Sequence, residues 1–115
     1  MIIKKGLPYK KLVSITNADD SPYDLTGKTV FFTLKNKWDY ADNDIDALIM
    51  QDITVHEDPA GGLFYLELSV EQTNIAAGEE KYKADYKIYR DSVRVDMNTE
   101  IILVTILDVV TKRRS

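Results

Sequence analysis

The sequence predicts an all-β sandwich of about six to eight strands with one short helical turn. Three observations carry this. Apolar and polar residues alternate with period two through most of the chain, the pattern of strands with one buried and one wet face. Clusters of Gly, Pro, Asn and Asp interrupt the alternation at intervals of about a dozen residues. One stretch only, "SVEQTNIAAG" (69–78), leans towards helix, with Ser69 or Thr73 as its cap.

Taken in order, "KKLVSIT" (10–16) is the first strand, through Val13 and Ile15. "NADDSPYDLTG" (17–27) is rich in turn formers and ends on a glycine before "KTVFFTLK", where Val30, Phe32 and Leu34 share a face. "DNDIDALIMQD" (42–52) is a loop that becomes a strand, with Ile45, Ala47, Ile49 and Gln51 alternating against Asp46, Leu48, Met50 and Asp52. "EDPAGG" (57–62) is a tight connection, carrying Pro and paired Gly. "GLFYLELS" then aligns Phe64, Leu66 and Leu68, and "KYKADYKIYR" aligns Tyr82, Ala84, Tyr86 and Ile88. "RDSVRVDMNTE" (90–100) reads as a hairpin turning at Asp96–Asn98.

The last strand differs. "TEIILVTILDVV" (99–110) is apolar on both faces, with Ile102, Val104 and Ile106 opposite Ile101, Leu103 and Leu107. Two-sided apolarity marks either a strand buried on both sides or one at a subunit contact. We expect a contact, with Ile102, Val104 and Ile106 facing outward; the competing reading places all three in the core. No repeat or linker divides the chain, so one domain is expected over 1–115, ending in a basic tail at 111–115.

Composition narrows the function. The 115 residues are 44% hydrophobic and 30% charged, which argues against a disordered chain. No apolar run reaches the ~18 residues of a spanning helix, and no secretory signal is evident in "MIIKKGLPYKK". The absence of cysteine removes disulfides and thiolate metal sites. Net charge is −4, but residues 38–80 hold eleven acids and no Lys or Arg, between two lysine-containing flanks. We expect these blocks to pair strand against strand in one sheet. An acidic chain without a basic-aromatic cluster argues against nucleic acid, and no membrane association is expected.

Chemistry has few candidates. The only histidine, His56, sits at a strand end with no evident nucleophile, and the five glycines form no phosphate loop. No catalytic residue and no cofactor are therefore expected. Asp42, Asp44 and Asp46 suggest a calcium loop, but an EF-hand starting at Asp42 needs Gly and Glu where Ala47 and Ile53 stand. A looser site at Asp39, Asp42 and Asp44 is the weaker alternative to acids that simply solvate a loop. Trp38 and Tyr40, in "KWDYAD", either pack over the end of the sandwich or form a sugar-stacking platform. The second choice defines an alternative function, a glycan-binding or host-attachment module assisted by calcium.

The order of motifs resembles the small immunoglobulin-like domains of tailed-bacteriophage structural proteins, including the N-terminal domain of upper baseplate proteins. The resemblance rests on Asp24–Val30 ("DLTGKTV"), Asp44–Ile49, Asp58–Leu68, Thr73–Gly78 and Tyr82–Tyr86, and covers roughly residues 9–110. One departure is the segment between Gly78 and Tyr82, where three residues stand in place of the one in the family's usual "G-x-Y". Many relatives continue into long fibre or receptor-binding regions, whereas this sequence ends at Ser115. The resemblance implies an immunoglobulin-like sandwich and a non-enzymatic virion component of a phage or prophage, in the tail, baseplate or head fibre. Its partners would be other phage structural proteins and copies of itself, and it would assemble in the bacterial host cytoplasm.

Overall fold

A computed structural model describes residues 1–37, 47–91, 93–97 and 102–108. Among them are eight strands, β1 (Ile2–Lys4), β2 (Tyr9–Ser14), β3 (Thr29–Asn36), β4 (Ile49–Ile53), β5 (Leu63–Leu68), β6 (Gly78–Arg90), β7 (Val93–Met97) and β8 (Ile102–Leu107), with one helical turn, α1 (Val70–Thr73), between β5 and β6. The larger sheet runs β1-β8-β6-β3-β4, and β7 pairs with the far end of the long β6. β2 and β5 form a separate pair. Taking β2 to β6 as strands B, C, C′, E and F and β8 as G reproduces the immunoglobulin arrangement, with C′, C, F and G in one sheet and B and E in the other.

Alternation explains why the sheets meet where they do. Registering β3 antiparallel to β6 sets Val30, Phe32 and Leu34 beside Ile88, Tyr86 and Ala84, all buried on one face. The β2–β5 register sets Val13 beside Phe64 and Tyr9 beside Leu68 on the face turned towards them. Tyr86 joins the layers, its ring 5.3 Å from Phe32 and 5.6 Å from Phe64. Burial, and secondarily the nearby Tyr9, raises the Tyr86 phenol above the ordinary tyrosine range.

The turn motifs have specific work in this frame. In "DLTG", the Asp24 carboxylate accepts the Thr26 N–H at 2.9 Å. Leu25 drops into the core, and Gly27, at φ 71°, lets the Lys28 N–H reach the Leu25 carbonyl. In "DPAGG", the Gly61 N–H donates to Asp58 Oδ1. Gly62, also at φ 71°, passes so close to the Ile15 and Tyr23 carbonyls that a Cβ would lie 2.4 and 2.7 Å from them. The Leu25 N–H bonds the Pro59 carbonyl at 2.8 Å, so the two motifs brace each other. Ser69 is the cap of α1: it forms a capping box with Gln72. Thr73 instead is fully buried and donates to the Leu7 carbonyl at 2.7 Å.

Three features differ from the sequence expectation. The N-terminal β1, too short for alternation to reveal, pairs parallel to β8 in an otherwise antiparallel sheet. The hairpin expected to turn at Asp96–Asn98 turns earlier: Asp96 and Met97 lie within β7, and Asn98 lies outside the described residues. Arg90 pairs with Val93, so the chain reverses between them, where Asp91 has φ 51°. A two-residue hairpin loop needs a left-handed residue at this point, and Asp tolerates that conformation better than most. Finally, the outward face assigned to β8 is reversed. Val104 and Ile106 are 0% and 1% exposed, and Ile102 packs against the same core.

Candidate docking surface

The reversal on β8 follows from its two neighbours. Its register with β6 sets Val104 beside Tyr82 and Ile102 beside Ala84, both inward residues. Its register with β1 sets Ile106 beside Ile3, which is fully buried. Directly opposed residues share a face of a sheet. Leu103, Thr105 and Leu107 therefore form the outer row, and Leu103 and Leu107 are 41% and 44% exposed.

β1 extends that row. The Met1 ammonium donates to the Leu103 carbonyl at 3.1 Å, the Thr105 N–H to the Met1 carbonyl at 2.9 Å, and the Lys5 N–H to the Leu107 carbonyl at 2.8 Å. With Ile3 inward, Ile2 and Lys4 stand outward. Ile2 is 61% exposed and pairs with Thr105, between the two leucines. On the opposite side of β8 the register of β6 shifts between Gly78 and Tyr82. There Glu80, at φ 46°, donates its N–H to Thr105 Oγ1 at 2.9 Å. The result is an apolar row on the outside of the sheet, with Lys4 on one flank and a mixed set on the other, the exposed Glu79, Glu80 and Lys81 and then Lys83 beside Leu103.

The remaining candidates are arranged differently. His56 Nε2 lies 2.7 Å from the Lys28 carbonyl, which makes it the protonated nitrogen. Its Nδ1 is buried without a hydrogen bond, and the ring meets Phe64 edge-on. This histidine bridges a strand end to a turn, with no nucleophile on either nitrogen. No group of three metal-ligating side chains occurs among the described residues. Trp38, Tyr40, Asp39, Asp42 and Asp44 lie outside the described residues, as does the basic tail at 111–115.

Strand-against-strand charge pairing is present. Lys10 of β2 registers with Glu67 of β5, and their side chains meet at 3.3 Å. Both are largely exposed, so the pair contributes at most about 1 kcal/mol. On the larger sheet, Thr33 of β3 donates to Asp85 of β6 at 2.6 Å.

Sequence reasoning located the strand and missed the face. Ile2, the most exposed of the three apolar residues, lay in a segment read only for targeting. The available signal was parity: a core position at Ile3 and the partner strands' alternation together fix which face of β8 turns in.

This strand order defines an immunoglobulin-like β-sandwich domain with an apolar row on the outer face of its larger sheet. The chain belongs to a bacteriophage baseplate family: the BppU N-terminal domain, the N-terminal domain of the phage baseplate upper protein, matches residues 10–108. No curated protein matches the sequence.

Proposed function

We propose that this chain is a non-enzymatic virion structural protein that acts as one sandwich unit and works by docking to neighbouring phage structural proteins and to copies of itself. Membership of a baseplate family supports a place in the virion. The observation that carries the docking reading is the outer row of Ile2, Leu103 and Leu107, set on a rigid sheet rather than on a loop. A sheet presents such a row without the ordering entropy that a mobile segment loses on binding. Assembly in the host cytoplasm accords with the cysteine-free sequence.

The test is co-expression with the products of flanking phage structural genes, followed by affinity capture. The wild-type chain is expected to retain at least one of them, and the double variant Leu103→Asp with Leu107→Asp to lose it while keeping its β circular-dichroism spectrum. Capture unaffected by the double variant would remove β8 from the docking surface, and no capture by the wild type would overturn the proposal.

A further inference from the structure

The smaller sheet leaves one edge of β2 without a partner strand among the described residues, since it holds only β2 and β5. In the immunoglobulin arrangement a strand A stands beside strand B, but here β1 pairs with β8 in the larger sheet instead. Two contacts fix which backbone groups face that edge. Ile15, one step beyond the Ser14–Leu63 pair, donates its N–H to the Gly62 carbonyl at 2.9 Å. Leu63 exchanges both of its backbone bonds with Asp58, away from β2. Bonded positions alternate along an antiparallel pair. Tyr9, Lys11 and Val13 therefore bond to β5, whereas Lys10, Leu12 and Ser14 turn their N–H and C=O groups to the open edge. The chain after β2 folds back on the β5 side, through the Tyr23 N–H to the Ile15 carbonyl, and leaves that edge clear. Lys10, Leu12 and Ser14 are all exposed.

The side chains of β2 specify what can join it. Lys11 registers with Leu66, a fully buried residue of the inner face, yet is itself exposed and has no ion-pair partner among the described residues. An added strand sets a side chain directly beside it. An apolar neighbour would desolvate an unpaired ammonium and a basic one would repel it, whereas a carboxylate pairs with it. On the outer face Leu12, which registers with Tyr65, is 44% exposed and offers apolar contact. Lys10 is already engaged, by Glu67 at 3.3 Å and by the Tyr65 ring at 4.6 Å. The strand that fits thus carries acids on the face towards Lys11 and apolar residues on the face towards Leu12. A second copy of β2 fits poorly, because it brings two more lysines to the seam and no acid of its own. We infer that β2 accepts an extended acidic segment of a neighbouring polypeptide as an added strand. Main-chain bonds at Lys10, Leu12 and Ser14 hold that strand, and Lys11 selects it.

Nuclear magnetic resonance titration of the full chain is the experiment. The probe is a capped peptide of alternating valine and glutamate, followed up to about 1 mM, with an alternating valine and lysine peptide as control. The glutamate peptide is expected to bind about tenfold or more tightly than the lysine peptide. Binding is expected to slow amide exchange at Lys10, Leu12 and Ser14, and to change Lys11 and Val13, already bonded to β5, far less. A peptide that merely adheres to the charge would not give that alternation. Lys11→Glu is expected to reverse the preference between the two peptides. Leu12→Pro removes a donor aimed at the partner and none aimed at β5, so it is expected to abolish binding while the circular-dichroism spectrum is kept. If that chain fails to fold, Ser14→Pro replaces it.

A wild type that binds neither peptide overturns the inference, as do equal binding of both and protection that does not alternate along β2. A chain that instead dimerises through β2 and excludes the peptide overturns the choice of partner. The β8 row takes no part, so the Leu103→Asp, Leu107→Asp chain is expected to bind the glutamate peptide as the wild type does. Failure of this inference and failure of the docking reading are therefore distinguishable.

Discussion

The two faces of β8 are built from the same kind of residue and have opposite fates. Val104 and Ile106 are sealed in the core, whereas Leu103 and Leu107 keep more than two-fifths of their surface in water. Nothing in their side chains decides this, since Leu is as apolar as Val or Ile. The neighbours decide it: Tyr82 and Ala84 of β6 and Ile3 of β1 fix the inward parity, and a slip of one residue would exchange the faces. Apolarity on both sides of a strand thus reports that two surfaces are covered or coverable. Only register tells which surface the fold itself covers.

Substitutions on the two faces separate these roles, and the largest effect belongs to the inner one. Val104→Asp places a carboxylate among fully buried apolar groups and is expected to cost about 4 kcal/mol or more, leaving the chain unfolded or molten in thermal denaturation. Ile106→Ala, which removes bulk without adding charge, is expected to cost about 2–5 kcal/mol, against less than about 1 kcal/mol for Leu107→Ala, as measured by urea unfolding. Equal costs for the two would contradict the register.

The connection that holds β1 against β8 comes next. Thr73→Val keeps the shape of a fully buried side chain but leaves the Leu7 carbonyl without its donor, for a loss of about 1–3 kcal/mol in the same assay. Hydrogen exchange should then accelerate first at the Thr105 and Lys5 amides, whose acceptors are the Met1 and Leu107 carbonyls. The smallest effect is expected at the solvent-facing turns. Hydrogen bonds from Thr26 hold the Asp24 carboxyl below its ordinary value. The folded group titrates below the unfolded one, so its stabilisation is complete above the ordinary Asp range and is lost as pH falls through the folded value. Asp24→Asn should flatten that acid limb of a stability–pH curve, and an unchanged limb would show that other carboxylates produce it.

Most of the sandwich was legible in the sequence because its central strands alternate strictly. "KTVFFTLK", "GLFYLELS" and "KYKADYKIYR" became β3, β5 and β6 with the inward residues expected of them. The turn motifs were equally readable, since Gly62 and Gly27 occupy conformations that few other residues adopt. What escaped depends on tertiary pairing. β1 is three residues long and is a strand only because β8 lies beside it. The hairpin turn at Asp91 carries no glycine signal, so the Asp-Met-Asn cluster further on looked the better place to reverse. For the docking row, period two gave the strand and its two classes of residue, but their assignment to inside and outside needed partners up to a hundred residues away.

The most direct test of this account is incorporation into particles. Virions assembled with the Leu103→Asp, Leu107→Asp chain in place of the wild type would be purified and analysed by mass spectrometry, after circular dichroism has shown the variant to be folded. The account predicts that the folded variant is absent from the particles or strongly depleted in them, whereas the wild-type chain is present. A folded variant incorporated at the wild-type level would contradict the assignment of the outer β8 face as the surface through which this protein assembles.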